Sequence, residues 1–133
     1  MSDRPLHARP RYLALVFAGG AAGTVLRWTL AVALPTGWPA ATLIANVTGA
    51  FALGWVLEAL ALRDEDDRPS HSTRLFFGTG VLGGYTTYSA FAVDTDLLGF
   101  TWPSLLYVGA TIVLGAAASL AGIAIAARIG RRP

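Results

Sequence analysis

Four long apolar stretches constrain the fold of this chain more than any other feature of its sequence. Their approximate bounds are 12–34, 40–62, 75–98 and 105–127. A helix that crosses a bilayer needs about 20 mostly apolar residues, and each stretch provides them. The residues left between and beyond them are too few for a soluble catalytic domain. We therefore predict an all-α integral membrane protein with four transmembrane helices in a single transmembrane domain, residues 1–133.

The composition agrees with lipid as the solvent for this surface. Hydrophobic residues make up 54% of the chain and charged residues 14%, against roughly 25% charged residues in average soluble proteins. A soluble fold of this composition would expose large apolar patches and aggregate. The absence of cysteine excludes disulfides and thiolate metal sites. The net charge of +2 and the scattered arginines give no indication of a nucleic-acid partner.

The connections between the stretches predict the orientation. Segments 35–39 and 99–103 are short, uncharged and each contain a tryptophan, which is typical of a membrane–water interface. Segment 63–74 is charged and is expected in water. Four crossings place both termini and segment 63–74 on one side, with every arginine outside the stretches: Arg4, Arg9, Arg11, Arg63, Arg68, Arg74, Arg128, Arg131 and Arg132. The positive-inside rule then predicts cytoplasmic termini in a multi-pass protein of the cell (inner or plasma) membrane.

The third stretch contains an unusual polar segment, residues 80–91, with three glycines, two threonines, two tyrosines and a serine. Glycine and β-branched threonine both weaken a helix. Broken helices occur inside membranes where the freed backbone carbonyls find a partner, and such carbonyls bind cations. This interpretation predicts a non-helical turn near residues 83–87. The alternative is close packing, because Gly80 and Gly84 have the small-xxx-small spacing of helix interfaces.

Two polar residues stand alone inside apolar stretches, and each has two interpretations. Arg27 either extends to the lipid headgroups or places a positive charge in an aqueous vestibule that attracts anions. Asn46 either makes a hydrogen bond between helices or donates to a polar path, because an amide in lipid must face protein or water.

Aromatic and hydroxyl residues also recur at helical spacing. Tyr88 and Phe91 are three residues apart and share a helix face. The positive edges of two such rings suit a small anion, whereas core packing is the ordinary alternative. The fourth stretch has a stripe of polar and small residues at intervals of four: Tyr107, Thr111, Gly115 and Ser119. This stripe suits either a polar pathway or close helix packing.

Together these features resemble the Fluc/CrcB family of fluoride channels. Segment 19–27 resembles the family's first-helix segment of glycines and an arginine, and segment 42–51 resembles its second-helix asparagine motif. Segment 80–91 resembles its G-x-x-G-x-x-T-T-F-S-T-F signature, and the stripe of the fourth stretch resembles the family's too. The motifs occur in the family's order and cover most of the chain.

The resemblance implies an antiparallel dimer of four-helix subunits with broken third helices and two fluoride pores. It also implies a sodium ion at the dimer centre, bound by the backbone carbonyls of Gly83 and Thr86, and no organic cofactor. Arg27 would lie in the vestibule, and Asp94 falls where the family often has glutamate. The implied pore residues are Asn46, Tyr88, Phe91, Ser89, Thr87, Tyr107 and Thr111.

The chain departs from the family pattern in three respects. Tyr88 stands where phenylalanine is usual, and Ala90 stands where threonine is usual. The arginine bias also differs from a chain that inserts in both orientations. Some members of the family pair as homologous subunits of fixed, opposite orientation, so both a homodimer and a heterodimer remain open.

The function that the resemblance implies is passive export of cytoplasmic fluoride, which confers fluoride resistance. One alternative is a small four-helix drug/proton antiporter, for which Glu58 is the embedded acid. Another is a non-conducting partner subunit of a heterodimeric channel. We predict no enzymatic activity, because the sequence has no plausible nucleophile–base pair and both His7 and His71 lie outside the stretches.

Overall fold

The computed structural model describes residues 9–35, 37–62 and 71–130, and within these ranges every regular element is helical. The long helices are α1 (Pro10–Ala33), α2 (Ala40–Ala61) and α6 (Trp102–Gly130). Between α2 and α6 the chain forms α3 (His71–Thr73), a π-helix (Arg74–Leu82), α4 (Gly83–Tyr85) and α5 (Tyr88–Leu98). The uninterrupted run from α3 to α4 is called the first half-helix below, and α5 is called the second half-helix.

Three helices, α1, α2 and α6, are long and apolar enough to cross a membrane. They coincide with three predicted stretches, and the largest difference is three residues at each end of α6. Pro10 and Pro103 lie in the first turns of α1 and α6, where the missing N–H costs no intrahelical hydrogen bond. Trp102 and Pro103, predicted to lie in a connection, therefore belong to α6. Gly99 makes the turn before α6 with a φ of 64°, which glycine adopts without strain.

The third predicted stretch is divided between the two half-helices. Thr86 has φ −78° and ψ 156°, and Thr87 has φ −153° and ψ 125°, so both are extended. Gly83 itself is helical, with φ −65° and ψ −34°. The interruption predicted near residues 83–87 is therefore confirmed, and within that range it lies at two β-branched residues, which favour extended backbone, rather than at the glycines.

Glycines allow α1 to lie directly against the first half-helix. A Cβ atom at Gly19 would overlap the Phe76 carbonyl oxygen, and one at Gly80 would lie 2.9 Å from the Gly19 Cα. A Cβ atom at Gly84 would overlap the carbonyl oxygen of Gly20. The close-packing interpretation of Gly80 and Gly84 is therefore confirmed.

The second close pairing joins α2 to α6. A Cβ atom at Gly54 would overlap the Ser119 carbonyl oxygen, and one at Gly122 would overlap that of Phe51. Ser119, the last residue of the predicted stripe, is thus a packing residue. Most of segment 63–74 lies outside the described residues, as do five arginines and one histidine used in the predictions: Arg4, Arg63, Arg68, Arg131, Arg132 and His7.

Candidate functional site

The site is organised around the break between the half-helices, and Asn46 of α2 holds it. The Asn46 side-chain Oδ1 accepts a hydrogen bond from the N–H of Thr87 at 2.8 Å, and its Nδ2 donates to the Thr87 carbonyl at 3.0 Å. This pair of bonds is called the Asn46 clamp. It satisfies both backbone groups of a residue that has no helical partner. An amide has two N–H donors, so one hydrogen on Nδ2 remains for another acceptor.

Two neighbouring positions of α2 contact the residues just before Thr87. The hydroxyls of Thr48 and Tyr85 are 2.9 Å apart and hydrogen-bonded. Gly49 leaves space for Thr86, since a Cβ atom at Gly49 would overlap the Thr86 Cγ2. One short segment of α2 thus contacts three successive residues of the break and fixes its position.

The break redirects two backbone N–H groups. In a continuous α-helix, the N–H of Thr87 would bond to the Gly83 carbonyl and that of Ala90 to the Thr86 carbonyl. Here the Thr87 N–H bonds to Asn46, and the Ala90 N–H bonds to the Thr87 hydroxyl at 3.1 Å, an N-cap of the second half-helix. The carbonyls of Gly83 and Thr86 are therefore released from α-helical hydrogen bonding.

Gly83 and Thr86 also line a groove of about 400 Å³ between α2 and the first half-helix. A Cβ atom at Gly83 would have no neighbour within 4 Å, so the chain leaves this side of the half-helix open. Asn46 lines the same groove. Gly83 and Thr86, the two residues predicted to bind a cation, therefore lie in one groove with Asn46.

Four aromatic rings form a row beyond the break. The ring centroids of Tyr88 and Phe91 are 6.1 Å apart, those of Phe91 and Tyr107 5.4 Å, and those of Tyr107 and Trp38 5.6 Å. These four rings are called the aromatic row. Tyr88, at one end of the row, is 82% exposed, whereas Tyr107, between Phe91 and Trp38, is fully buried. The prediction that Tyr88 and Phe91 share a face is confirmed by their ring contact.

The hydroxyl groups divide between this row and helix packing. The Tyr107 hydroxyl donates to Asp94 Oδ2 at 3.3 Å, and the Thr87 and Ser89 hydroxyls are 3.2 Å apart. Thr111 donates to the Tyr107 carbonyl within α6 at 2.7 Å. Tyr107, the first residue of the stripe, thus belongs to the aromatic row. Ser119, its last residue, packs against Gly54.

Arg27 reaches the end of the first half-helix. Its side chain is half-buried, and Nε donates to the Gly84 carbonyl at 3.3 Å. Arg27 also lines a cavity of about 270 Å³ together with Thr24, Trp28, Ala31, Ala41, Thr42 and Ala90. No acidic residue belongs to this lining, so the guanidinium is the charged group that dominates the cavity.

Sequence reasoning missed three residues of the site: Trp38, Thr48 and Tyr85. Trp38 was expected only as an anchor at the membrane interface, yet its ring packs edge-on against Tyr107 at an interplanar angle of 84°. Thr48 lies two residues after Asn46, and Tyr85 lies two residues before Thr87. The proximity of Thr48 to Asn46 was the available signal, but a threonine in an apolar helix commonly bonds to its own helix, as Thr48 also does to Ile44 at 2.6 Å.

Comparisons with known proteins agree with the motifs. The sequence profile of the family described as CrcB-like protein, Camphor Resistance (CrcB), matches residues 14–123. The fluoride-specific ion channel FluC 2 of Leifsonia xyli subsp. xyli is 54% identical, and the match covers 98% of this chain and 94% of that protein. The fluoride-specific ion channels FluC of Hyphomonas neptunium and Rhizobium meliloti are 40% and 42% identical, each over 86% of this chain and 94% of the relative.

Proposed function

The chain belongs to the CrcB family, and from this premise we propose that it is a fluoride-selective passive ion channel of the cell membrane. Its relatives are named as fluoride-specific ion channels, so fluoride is the transported ion and export from the cytoplasm confers resistance. A channel breaks no bond, so the protein is not an enzyme. Family membership also removes the support for a drug/proton antiporter that uses Glu58.

The observation that carries the proposal is the aromatic row next to the Asn46 clamp. Fluoride is small and tightly hydrated, so a selective path must replace its water with donors in a narrow space. Phe91 lies between Tyr88 and Tyr107, and ring edges carry partial positive charge. The free Nδ2 hydrogen of Asn46 adds an N–H donor beside the break.

The remaining predicted pore residues extend this path with hydroxyls. The Thr87 and Ser89 hydroxyls pair beside Tyr88, and Thr111 and Tyr107 continue along α6. A hydroxyl donates one hydrogen and accepts others, so a row of them passes an anion between sites without a fixed positive charge. Arg27 serves at the entrance, where its charge raises the local concentration of anions.

A structural sodium ion fits the chemistry of the break. The Gly83 and Thr86 carbonyls are released from α-helical bonding and line one groove, and carbonyl oxygens suit a hard cation. The described residues contain no cluster of three or more His, Cys, Asp or Glu side chains that would suit a metal. The carbonyls of Gly83 and Thr86 would hold the ion, whose charge would stabilise their dipoles.

A second copy of the fold would complete this site. One chain offers two carbonyls, and a hard cation in a protein takes more oxygen ligands than that. An antiparallel dimer would bring a second pair of carbonyls to the same ion, and the partner is either another copy or a homologous subunit. Each subunit would cross the lipid four times, through α1, α2, the two half-helices together, and α6, with cytoplasmic termini.

Ion flux from liposomes tests the proposal. Purified protein, reconstituted with potassium fluoride or potassium chloride inside, should release fluoride and retain chloride. Equal rates for both ions, or flux that requires a proton gradient, would refute the proposed channel. Flux that appears only when a homologous subunit is co-purified would identify the chain as one half of a heterodimer.

A further inference from the structure

The first half-helix ends at the break, where the Gly84 carbonyl loses its α-helical donor. The last four C=O groups of any helix lack intrahelical donors. Because Thr86 and Thr87 are extended, the N–H of Tyr88 cannot reach the Gly84 carbonyl as it would in a continuous helix. Arg27 of α1 supplies the missing donor, with Nε at 3.3 Å from that oxygen.

The packing of α1 brings Arg27 to this place. Gly20, Gly23 and Arg27 have the spacing of one helix face. The Gly20 backbone touches Gly84, and a Cβ atom at Gly23 would overlap the Val81 carbonyl. Because these glycines have no side chains, the backbones of α1 and the first half-helix are in direct contact. The next turn of α1 therefore places Arg27 at the end of the first half-helix.

We infer that Arg27 is a positioning residue, which caps the Gly84 carbonyl and thereby fixes the backbone at the break. A cation at a helix C-terminus also interacts favourably with the helix dipole. The Gly83 carbonyl belongs to the peptide unit next to that of the Gly84 carbonyl. The direction of the Gly83 carbonyl therefore depends on the Gly84 carbonyl, which Arg27 holds. This role is separate from attraction of anions at the entrance, although its effect on flux rests on the proposed channel function.

Two substitutions of matched length separate the donor from the charge. In Arg27→Gln the side-chain nitrogen lies the same number of bonds from Cα as Nε does, so an N–H donor is kept and the charge is lost. Arg27→Met has a similar length and provides neither. If Arg27 acts by capping, the glutamine variant keeps its maximum flux within about twofold, and the methionine variant loses about fivefold or more, the fold-change of one lost hydrogen bond.

Flux as a function of fluoride concentration gives one readout. Loss of charge at the entrance raises the half-saturating concentration in both variants, whereas loss of the cap lowers the maximum flux in the methionine variant alone. Equal maximum fluxes of the two variants, or a tenfold fall in the glutamine variant, would overturn the inference. If the methionine variant does not fold, the glutamine variant decides by the same criterion.

Hydrogen exchange on the purified protein, without fluoride, gives a readout that does not depend on transport. The N–H groups of Thr86 and Thr87 are hydrogen-bonded only while the break keeps its geometry. Their exchange should accelerate about fivefold in Arg27→Met, the effect of one lost hydrogen bond, and remain near the original rate in Arg27→Gln. If exchange is unchanged in both variants, the inference is overturned, whether or not the protein conducts fluoride. If the protein conducts no fluoride but shows the expected exchange pattern, only the proposed channel function is refuted.

Discussion

Replacing Asn46 by aspartate and by alanine separates the two tasks that the structure gives this residue. Its amide holds both backbone groups of Thr87 and leaves one N–H for an anion. Aspartate keeps an oxygen that accepts from the Thr87 N–H but loses the donor to the Thr87 carbonyl, and it adds a negative charge. Alanine loses both hydrogen bonds and adds no charge.

The magnitudes predict opposite rankings for stability and for flux. Each hydrogen bond contributes about 1 kcal/mol net, and an unsatisfied partner costs about 1–3 kcal/mol, so alanine should destabilise the fold more than aspartate. A carboxylate about 4 Å from fluoride opposes it by about 4 kcal/mol at an effective dielectric constant of about 20, which corresponds to about a thousandfold in flux. Alanine removes the donor of the path together with the clamp on Thr87 but adds no charge, so we expect flux to fall about tenfold or somewhat more, which is less than with aspartate.

Thermal unfolding in detergent and fluoride efflux from liposomes measure the two rankings. The melting temperature should fall in the order wild type, aspartate, alanine, while efflux should fall in the order wild type, alanine, aspartate. Thr48→Val is the matched control, because it removes the hydrogen bond to Tyr85 beside the clamp and should lower the melting temperature with little effect on flux. Identical rankings in both assays would refute the assignment of two tasks to Asn46.

Three further predictions concern other parts of the fold. Gly49→Ala should lower fluoride flux and destabilise the protein by about 1–3 kcal/mol, seen as a lower melting temperature, because the added methyl group would displace Thr86. Gly109→Ala is the control: its Cβ meets open space, so the melting temperature should not change. Tyr88→Phe should keep fluoride flux and its selectivity over chloride, because the proposed path uses the ring edge rather than the hydroxyl. Loss of selectivity in ion-substitution measurements would contradict this. His71→Cys, in a chain without cysteine, should react with a membrane-impermeant maleimide only after the cells are permeabilised, and partial labelling in intact cells that rises on permeabilisation would demonstrate dual topology and a homodimer.

The helices that cross the membrane were predictable because lipid imposes a length and a composition on them. The bounds of α1, α2 and α6 follow from apolar stretches alone, to within three residues. The interruption of the third stretch was also predictable from its composition. Its location near Gly83 to Thr87 was predicted as well, but its restriction to Thr86 and Thr87 was not, because glycine is a weaker helix former than threonine. Contacts with α2 determine the outcome, and a sequence does not display them.

Some residues at the break were singled out from the sequence, but their arrangement was not predicted. Asn46 and Thr87 were both predicted as pore residues, yet they are 41 positions apart and their mutual hydrogen bonds depend on tertiary packing. Arg27 had two sequence-based interpretations, and its bond to Gly84 belongs to neither. The nine-residue π-helix before the break was also absent from the predictions, because π-helices are rare and a sequence gives no reason to expect one. Such helices are frequent at functional sites.

The hydrogen bonds at the break explain why this chain is expected to need a partner. In lipid, backbone polar groups must find partners within the protein. Asn46 satisfies Thr87, the Thr87 hydroxyl satisfies Ala90, and Arg27 satisfies the carbonyl of Gly84. These bonds replace the α-helical ones, so the carbonyls of Gly83 and Thr86 are released from α-helical hydrogen bonding, and both residues line the groove. A backbone carbonyl without a partner costs about 1–3 kcal/mol in an apolar environment, and the proposed cation, shared with a second subunit, would supply that partner.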